Sequence, residues 1–141
     1  MLKREEFRQR LAQEYRYAAT KMQESPQPDQ KLYYFSVLWG EAQRVLNWEW
    51  NRDLALIYMA ANHTYSQVNL LMQPQVLSVS PIDVSAVFTA LIQATFDLAT
   101  YLEKAGDNTE ELHQILGRFA EISYVANGNG SYLHEKGLIK L

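Results

Sequence analysis

Apolar residues recur along the chain at intervals of three and four positions, which is the period of an amphipathic helix. The first such stripe runs through residues 3–24 and has charged residues on its other side. No stretch alternates convincingly with a period of two, so the pattern predicts no strand. The core-facing stripe of the first helix is Phe7, Leu11, Tyr15, Ala18 and Met22.

Residues 29–72 carry two stripes in succession, and Asp29 after Pro28 is the expected N-cap of the first. Either the chain breaks near Asn47–Asp53, or one helix of about 60 Å runs through. The usual length of helices favours two helices. The first stripe is Leu32, Phe35, Trp39, Ala42 and Leu46, and the second is Leu54, Ile57, Tyr58, Ala61, Tyr65, Val68 and Leu71.

The segment Ser80-Pro81-Ile82-Asp83 predicts the start of a further helix. Serine is expected to cap it, proline to take the first helical position, and aspartate to lie near the positive end of the helix dipole. This helix is apolar around most of its circumference and is therefore expected at the centre of the fold. Its narrow polar stripe is Thr89, Gln93, Asp97 and Lys104.

The last amphipathic stripe begins after residue 108, with two candidate caps. Asp107 has Glu110 three residues on, and Asn108 with Glu111 would serve equally. The stripe is Leu112, Ile115, Leu116, Phe119, Ile122 and Ala126. The turn NGNGS at residues 127–131 ends it, and a short C-terminal tail follows.

Together these stripes predict an all-α protein. We expect a single domain over residues 1–141, built as a bundle of four to five helices, mostly antiparallel. Apolar residues make up 48% and charged residues 21% of the chain, which is typical of a globular domain. The Asn/Gly-rich turn is expected to separate the bundle from the tail.

The chain contains no cysteine, which excludes disulfides and thiolate metal sites. This suits a reducing compartment, and the charged N-terminus shows no signal peptide, so a cytoplasmic location is expected. Residues 84–102 are apolar but include Gln93 and Asp97, and they fall short of the ~20 apolar residues of a membrane span. A buried helix is the expected structure there, with no membrane contact.

Charge along the chain gives little support for nucleic-acid binding. The net charge is −3, and only the first helix is basic. Glutamates at positions 5, 6 and 14 are interleaved with its cations at spacings that favour pairing within the helix. A solvated face is the expected role of these cations, which are Lys3, Arg4, Arg8, Arg10, Arg16 and Lys21.

Candidate chemistry is sparse. Glu110 and His113 form a single E-x-x-H, whereas di-iron bundles use that motif twice together with further glutamates. Glu110 has a capping role in any case, so neither a metal nor a cofactor is expected. The alternative is a small-ligand or metal-dependent enzyme that would bring Asp97 together with His63 and His113, and one variant of it adds His134.

The aromatic cluster VLNWEWNRD at residues 45–53 raises a geometric problem. Two steps of a helix rotate by ~160° net, so Trp48 and Trp50 would point to nearly opposite sides. Either the helix ends there and both rings enter one core, or the helix is covered on both faces, or one indole lies in a subunit interface. The consecutive residues Tyr33, Tyr34 and Phe35 pose the same problem.

These patterns favour a non-enzymatic helical module that self-associates, as a dimer, and binds a protein partner. The expected interface residues are Tyr33, Tyr34, Trp48, Trp50 and Arg52. Two alternatives are a small-ligand or metal-dependent enzyme and a helical subunit of a nucleoprotein complex.

Overall fold

The protein is an all-α bundle. The structure, a computed structural model, describes residues 4–104 and 108–126 together with Lys136. Within those ranges it contains six helices and no strand. The helices are α1 (Arg4–Glu24), α2 (Pro28–Leu46), α3 (Arg52–Leu71), α4 (Pro74–Leu77), α5 (Val84–Glu103) and α6 (Thr109–Ala126). The predicted all-α fold is confirmed, with α4 as an added single turn in the α3–α5 connection.

The five long helices form a closed ring around one core. Each packs against two neighbours, in the spatial order α1, α2, α3, α6, α5 and back to α1. Further contacts, between α2 and α5, cross the centre of the ring. The predicted stripes supply the core, since Tyr15, Phe35, Ile57, Leu91 and Phe119 are all fully or almost fully buried in it.

One end of the ring is held by contacts between residues far apart in the sequence. Arg8 near the start of α1 donates from Nε to the carbonyl oxygen of Leu102 near the end of α5, at 3.2 Å. Tyr101 donates to Asp53 Oδ2, at the start of α3, at 3.2 Å. The start of α1, the end of α5 and the start of α3 therefore meet, which makes α1 and α5 antiparallel. A ring of five helices requires at least one parallel pair of neighbours, and here α3 and α6 form it.

The helix starts differ in detail from the predicted caps. Gln27, and not Asp29, is the N-cap of α2, and Pro28 takes the first helical position. Asp83, and not Ser80, caps α5, because its carboxylate accepts from the backbone N–H of Ala86 at 3.2 Å. Ser80 instead accepts from the N–H of Ile82.

The cap of α6 is the second of the two predicted candidates. The side-chain oxygen of Asn108 accepts from the N–H of Glu111 at 3.1 Å, and its carbonyl accepts from the N–H of Leu112. The NGNGS turn and the C-terminal tail lie outside the described residues.

Helix α5 is the most buried element, as its composition predicts. Half of its 20 residues are buried, mainly against α1 and α6. By length and composition alone this helix could cross a membrane, a property that the core helices of bundles share. In this fold its apolar surface is used for packing between helices.

Candidate functional site

The chain turns a corner between α2 and α3, at the tryptophan cluster. Helix α2 ends at Leu46 and α3 begins at Arg52, so the predicted break near Asn47–Asp53 is confirmed. Asn51 caps α3, because its side-chain oxygen accepts from the N–H of Leu54 at 3.0 Å. Because the helix ends here, the two indoles are not held at the angle that a continuous helix would impose. They nevertheless do not enter one core.

Both indoles at this corner face solvent. Trp48 is 71% exposed and Trp50 is 75% exposed. Trp48 has one aromatic neighbour, Phe7 of α1, whose ring lies edge-on with centroids 6.1 Å apart. Arg52, also exposed, follows as the first residue of α3. The corner thus presents two large aromatic side chains and a guanidinium on the surface.

The three consecutive aromatic residues of α2 divide between core and surface. Phe35 is fully buried, Tyr34 is half-buried and Tyr33 is 70% exposed. The two tyrosine rings pack edge to face, with centroids 5.3 Å apart. Four of the five predicted interface residues, Tyr33, Trp48, Trp50 and Arg52, are therefore exposed along α2 and its C-terminal corner.

Five residues of α2 line its solvent side and form what we name the outer face of α2. They lie within a sector of about 80° on the helix. The buried residues of α2 point the other way, toward the core, where α1, α3 and α5 pack. The outer face comprises Asp29, Tyr33, Val37, Gly40 and Arg44, all exposed or half-exposed.

A groove of about 540 Å³ runs between α1 and α2, beside the corner. Its polar lining is two carboxylates, Glu14 and Glu41, and two guanidiniums, Arg10 and Arg44. Partial burial raises the pKa of Glu14 above its usual 4.5, and the hydrogen bond and charge of Glu41 raise it further. Arg44 forms an ion pair with Glu41. The groove thus places two acidic and two basic side chains side by side.

A buried hydroxyl fixes the spacing of the two helices that form this groove. Tyr15 is fully buried and donates to the carbonyl oxygen of Leu38 at 2.7 Å. Burial raises the pKa of its phenol far above the usual value, so the hydroxyl stays protonated as a donor. Sequence reasoning missed Glu14, because its partner Glu41 lies on another helix and no motif links the two positions.

The predicted polar residues lie on separate outer surfaces of the ring. Asp97 is exposed on α5, where it accepts from the side-chain amide of Gln93 at 3.0 Å. His63 is exposed on α3, and Glu110 and His113 are exposed on α6. In the described part of the chain, no three His, Asp or Glu residues are grouped as a metal ion would need. His134 lies outside the described residues.

The cations of α1 make contacts with α5 rather than only within their own helix. Arg16 forms an ion pair with Glu103 at 2.7 Å and donates to Thr100 at 3.0 Å. The guanidinium of Arg8 lies over the ring of Tyr101, 5.2 Å from its centroid. Lys21 pairs with Glu24 in the last turn of the same helix. Arg8 and Arg16 thus join α1 to α5, whereas Lys21 pairs only within α1.

Comparison with known proteins adds no relative to this picture. No protein-family model, no curated protein and no solved structure matches the chain. Arguments about its function therefore rest on its own surfaces.

Proposed function

We propose that the protein is a non-enzymatic helical module that acts through self-association, as a dimer, and through contacts with a protein partner. The observation that carries this proposal is the exposure of Trp48 and Trp50 at the corner between α2 and α3. Exposed aromatic residues in company mark interaction surfaces, and Trp, Tyr and Arg are enriched in interfaces. The absence of cysteine suits a reducing compartment, so a cytoplasmic location belongs to the same proposal.

The geometry favours this role over the two alternatives. A metal or small-ligand enzyme would need its polar groups to converge, whereas Asp97, His63 and His113 occupy three different helices and all face solvent. A nucleic-acid surface would need free cations on one face, whereas Arg16 is paired with Glu103 of α5.

Solution mass as a function of concentration tests the proposal. Sedimentation velocity over roughly 1–100 µM, the range in which modest affinities become visible, should show a species of twice 16.3 kDa. A strict monomer throughout this range would overturn the proposal.

Substitution of the exposed indoles tests the residues that carry it. The double variant Trp48→Ala with Trp50→Ala should lower the association constant by about tenfold or more, since interface tryptophans contribute disproportionately to affinity. The matched control is Tyr124→Ala, which removes an exposed aromatic ring from α6, a helix that is not a neighbour of α2 in the ring. Equal effects of the two changes would contradict a specific role for the corner.

A further inference from the structure

The outer face of α2 has a pattern that is complementary to itself. Tyr33 projects from it with 70% exposure, and Gly40 leaves a notch two turns away. A Cβ placed on Gly40 would meet only the guanidinium of Arg44, at 3.7 Å, so the notch has space beside Gly40 and is bordered by Arg44. One face thus carries both a large protruding side chain and a place without a side chain.

The outer face of α2 also carries opposite charges at its two ends. Asp29 is exposed in the first turn of α2, and Arg44 is exposed in its last turn. The guanidinium of Arg44 uses one nitrogen for Glu41 and has further N–H donors. Two such helices side by side in parallel would place like charges together, whereas an antiparallel pair places each aspartate by an arginine.

A single twofold axis satisfies the size pattern and the charge pattern together. With the axis between Ser36 and Val37, Tyr33 and Gly40 lie equally far from it, each about 5 Å along the helix at 1.5 Å per residue. Asp29 and Arg44 are also equally far from it, each about 11 Å away. In the antiparallel pair, each tyrosine therefore faces a glycine, and each aspartate faces an arginine.

The two ends of the outer face also complement each other. A hollow of about 330 Å³ lies at the N-terminal end of α2, lined by Ser25, Asp29, Gln30, Tyr33 and Tyr34. Trp48 lies just beyond the C-terminal end of the same helix. In an antiparallel pair, the C-terminal end of α2 in one copy would lie by this hollow in the other, and the hollow has room for an aromatic ring.

We propose that the occupant of the outer face of α2 is a second copy of this chain, packed antiparallel about a twofold axis between Ser36 and Val37. Three matched features support this pairing: Tyr33 opposite Gly40, Asp29 opposite Arg44, and Trp48 opposite the hollow. An isologous contact of this kind is the common form of a symmetric dimer. The inference rests on the proposed self-association and adds which surface carries it.

Crosslinking tests the position of the axis. The chain has no cysteine, so Val37→Cys introduces a single thiol next to the axis. A short bismaleimide should convert this variant mostly to covalent dimer at concentrations where the parent is dimeric. The control is Gln93→Cys, an exposed position on α5, which should remain monomeric under the same conditions.

Charge exchange tests the register. Asp29→Arg and Arg44→Asp should each weaken association by about tenfold, because each places two like-charged contacts in the symmetric dimer. The double variant should return to within about threefold of the parent, since the pairs are restored with reversed sign. Circular dichroism would verify that each variant keeps its helical content.

The outcomes distinguish the pairing through α2 from the more general proposal of self-association. A strict monomer would overturn both. A parent that dimerises, with no crosslink at position 37 and no recovery in the double charge variant, would overturn the α2 pairing and leave self-association through another surface. Capture of the chain by a different protein at this face, without dimer formation, would likewise overturn it.

Discussion

At the scale of single residues, the groove between α1 and α2 holds the most unusual electrostatic pair. Glu14 and Glu41 come from different helices and meet where solvent screens them only partly. Between 4.5 and the raised pKa of Glu14, the folded chain binds more protons than the unfolded chain. The free energy of unfolding therefore falls as the pH rises through this window.

Neutralising Glu14 should remove that dependence. We expect Glu14→Gln to raise the free energy of unfolding at pH 7 by roughly 0.5 kcal/mol, the scale of a screened carboxylate interaction. We also expect it to flatten the profile just above pH 4.5, as measured by urea denaturation across pH. A less stable Glu14→Gln protein at pH 7 would mean that the attraction of the Glu14 carboxylate to Arg10 and Arg44 exceeds the cost of its burial and its repulsion by Glu41.

Little of this residue-level detail could be predicted from the sequence. Trp48 and Trp50 are predictable as interface candidates because that argument needs only the rotation per residue within a single helix. The pairing of Glu14 with Glu41 depends on how two helices pack, and Tyr15 looks like any other core residue until its partner Leu38 is known. Sites formed by one helix are visible in a pattern, whereas sites formed between helices are not.

At the scale of elements, the corner between α2 and α3 depends on one capping side chain. Asn51 satisfies the backbone N–H of Leu54 at the exposed start of α3. We expect Asn51→Ala to lower the free energy of unfolding by about 1 kcal/mol, the usual cost of losing an N-cap. Thermal or urea denaturation followed by circular dichroism would measure it.

Two further substitutions make that measurement specific. Asn51→Asp keeps an acceptor at the cap and should stay within about 0.5 kcal/mol of the parent. Asn47 caps the end of α2 through its backbone N–H, so Asn47→Ala should have an equally small effect. A similar loss in all three variants would show that the cap hydrogen bond is not the cause.

The elements themselves were largely predictable, and their starts were not. Each predicted apolar stripe forms a helix, because apolar residues that repeat with a period of 3.6 share one face of a helix, and that face can then be buried in the core. Ser80 and Asp83 both suit an N-cap, and packing decides between them. With Asp83 as the cap, Ile82 and Val87 occupy the positions of a hydrophobic staple, and both join the core.

At the scale of the whole molecule, one continuous core links all five long helices. Leu91 is fully buried at the middle of α5, which contacts both α1 and α6. We expect Leu91→Ala to lower the free energy of unfolding by about 2–5 kcal/mol, with all helices unfolding together. The half-exposed Leu70→Ala on α3 is the matched control and should cost about 0.5 kcal/mol or less.

Two probes would check that the unfolding is cooperative. Far-ultraviolet circular dichroism reports all helices, whereas the fluorescence of Trp39 reports the contact of α2 with Tyr65 of α3. Replacing Trp48 and Trp50 by phenylalanine leaves Trp39 as the only tryptophan, so that the fluorescence reports this contact alone. Transitions that do not coincide would contradict a single cooperative unit.

The closure of the ring by α1 and α5 has a consequence for the order of folding. The hydrogen bond from Arg8 to Leu102 joins residues 94 positions apart, whereas α2 and α3 are joined by a short corner. Helix α1 is synthesised before its neighbour α5, which follows only after α2, α3 and α4 have been made. A ribosome-bound chain that ends before residue 84 therefore holds α1 against α2 alone, with its α5-facing side open to chaperones.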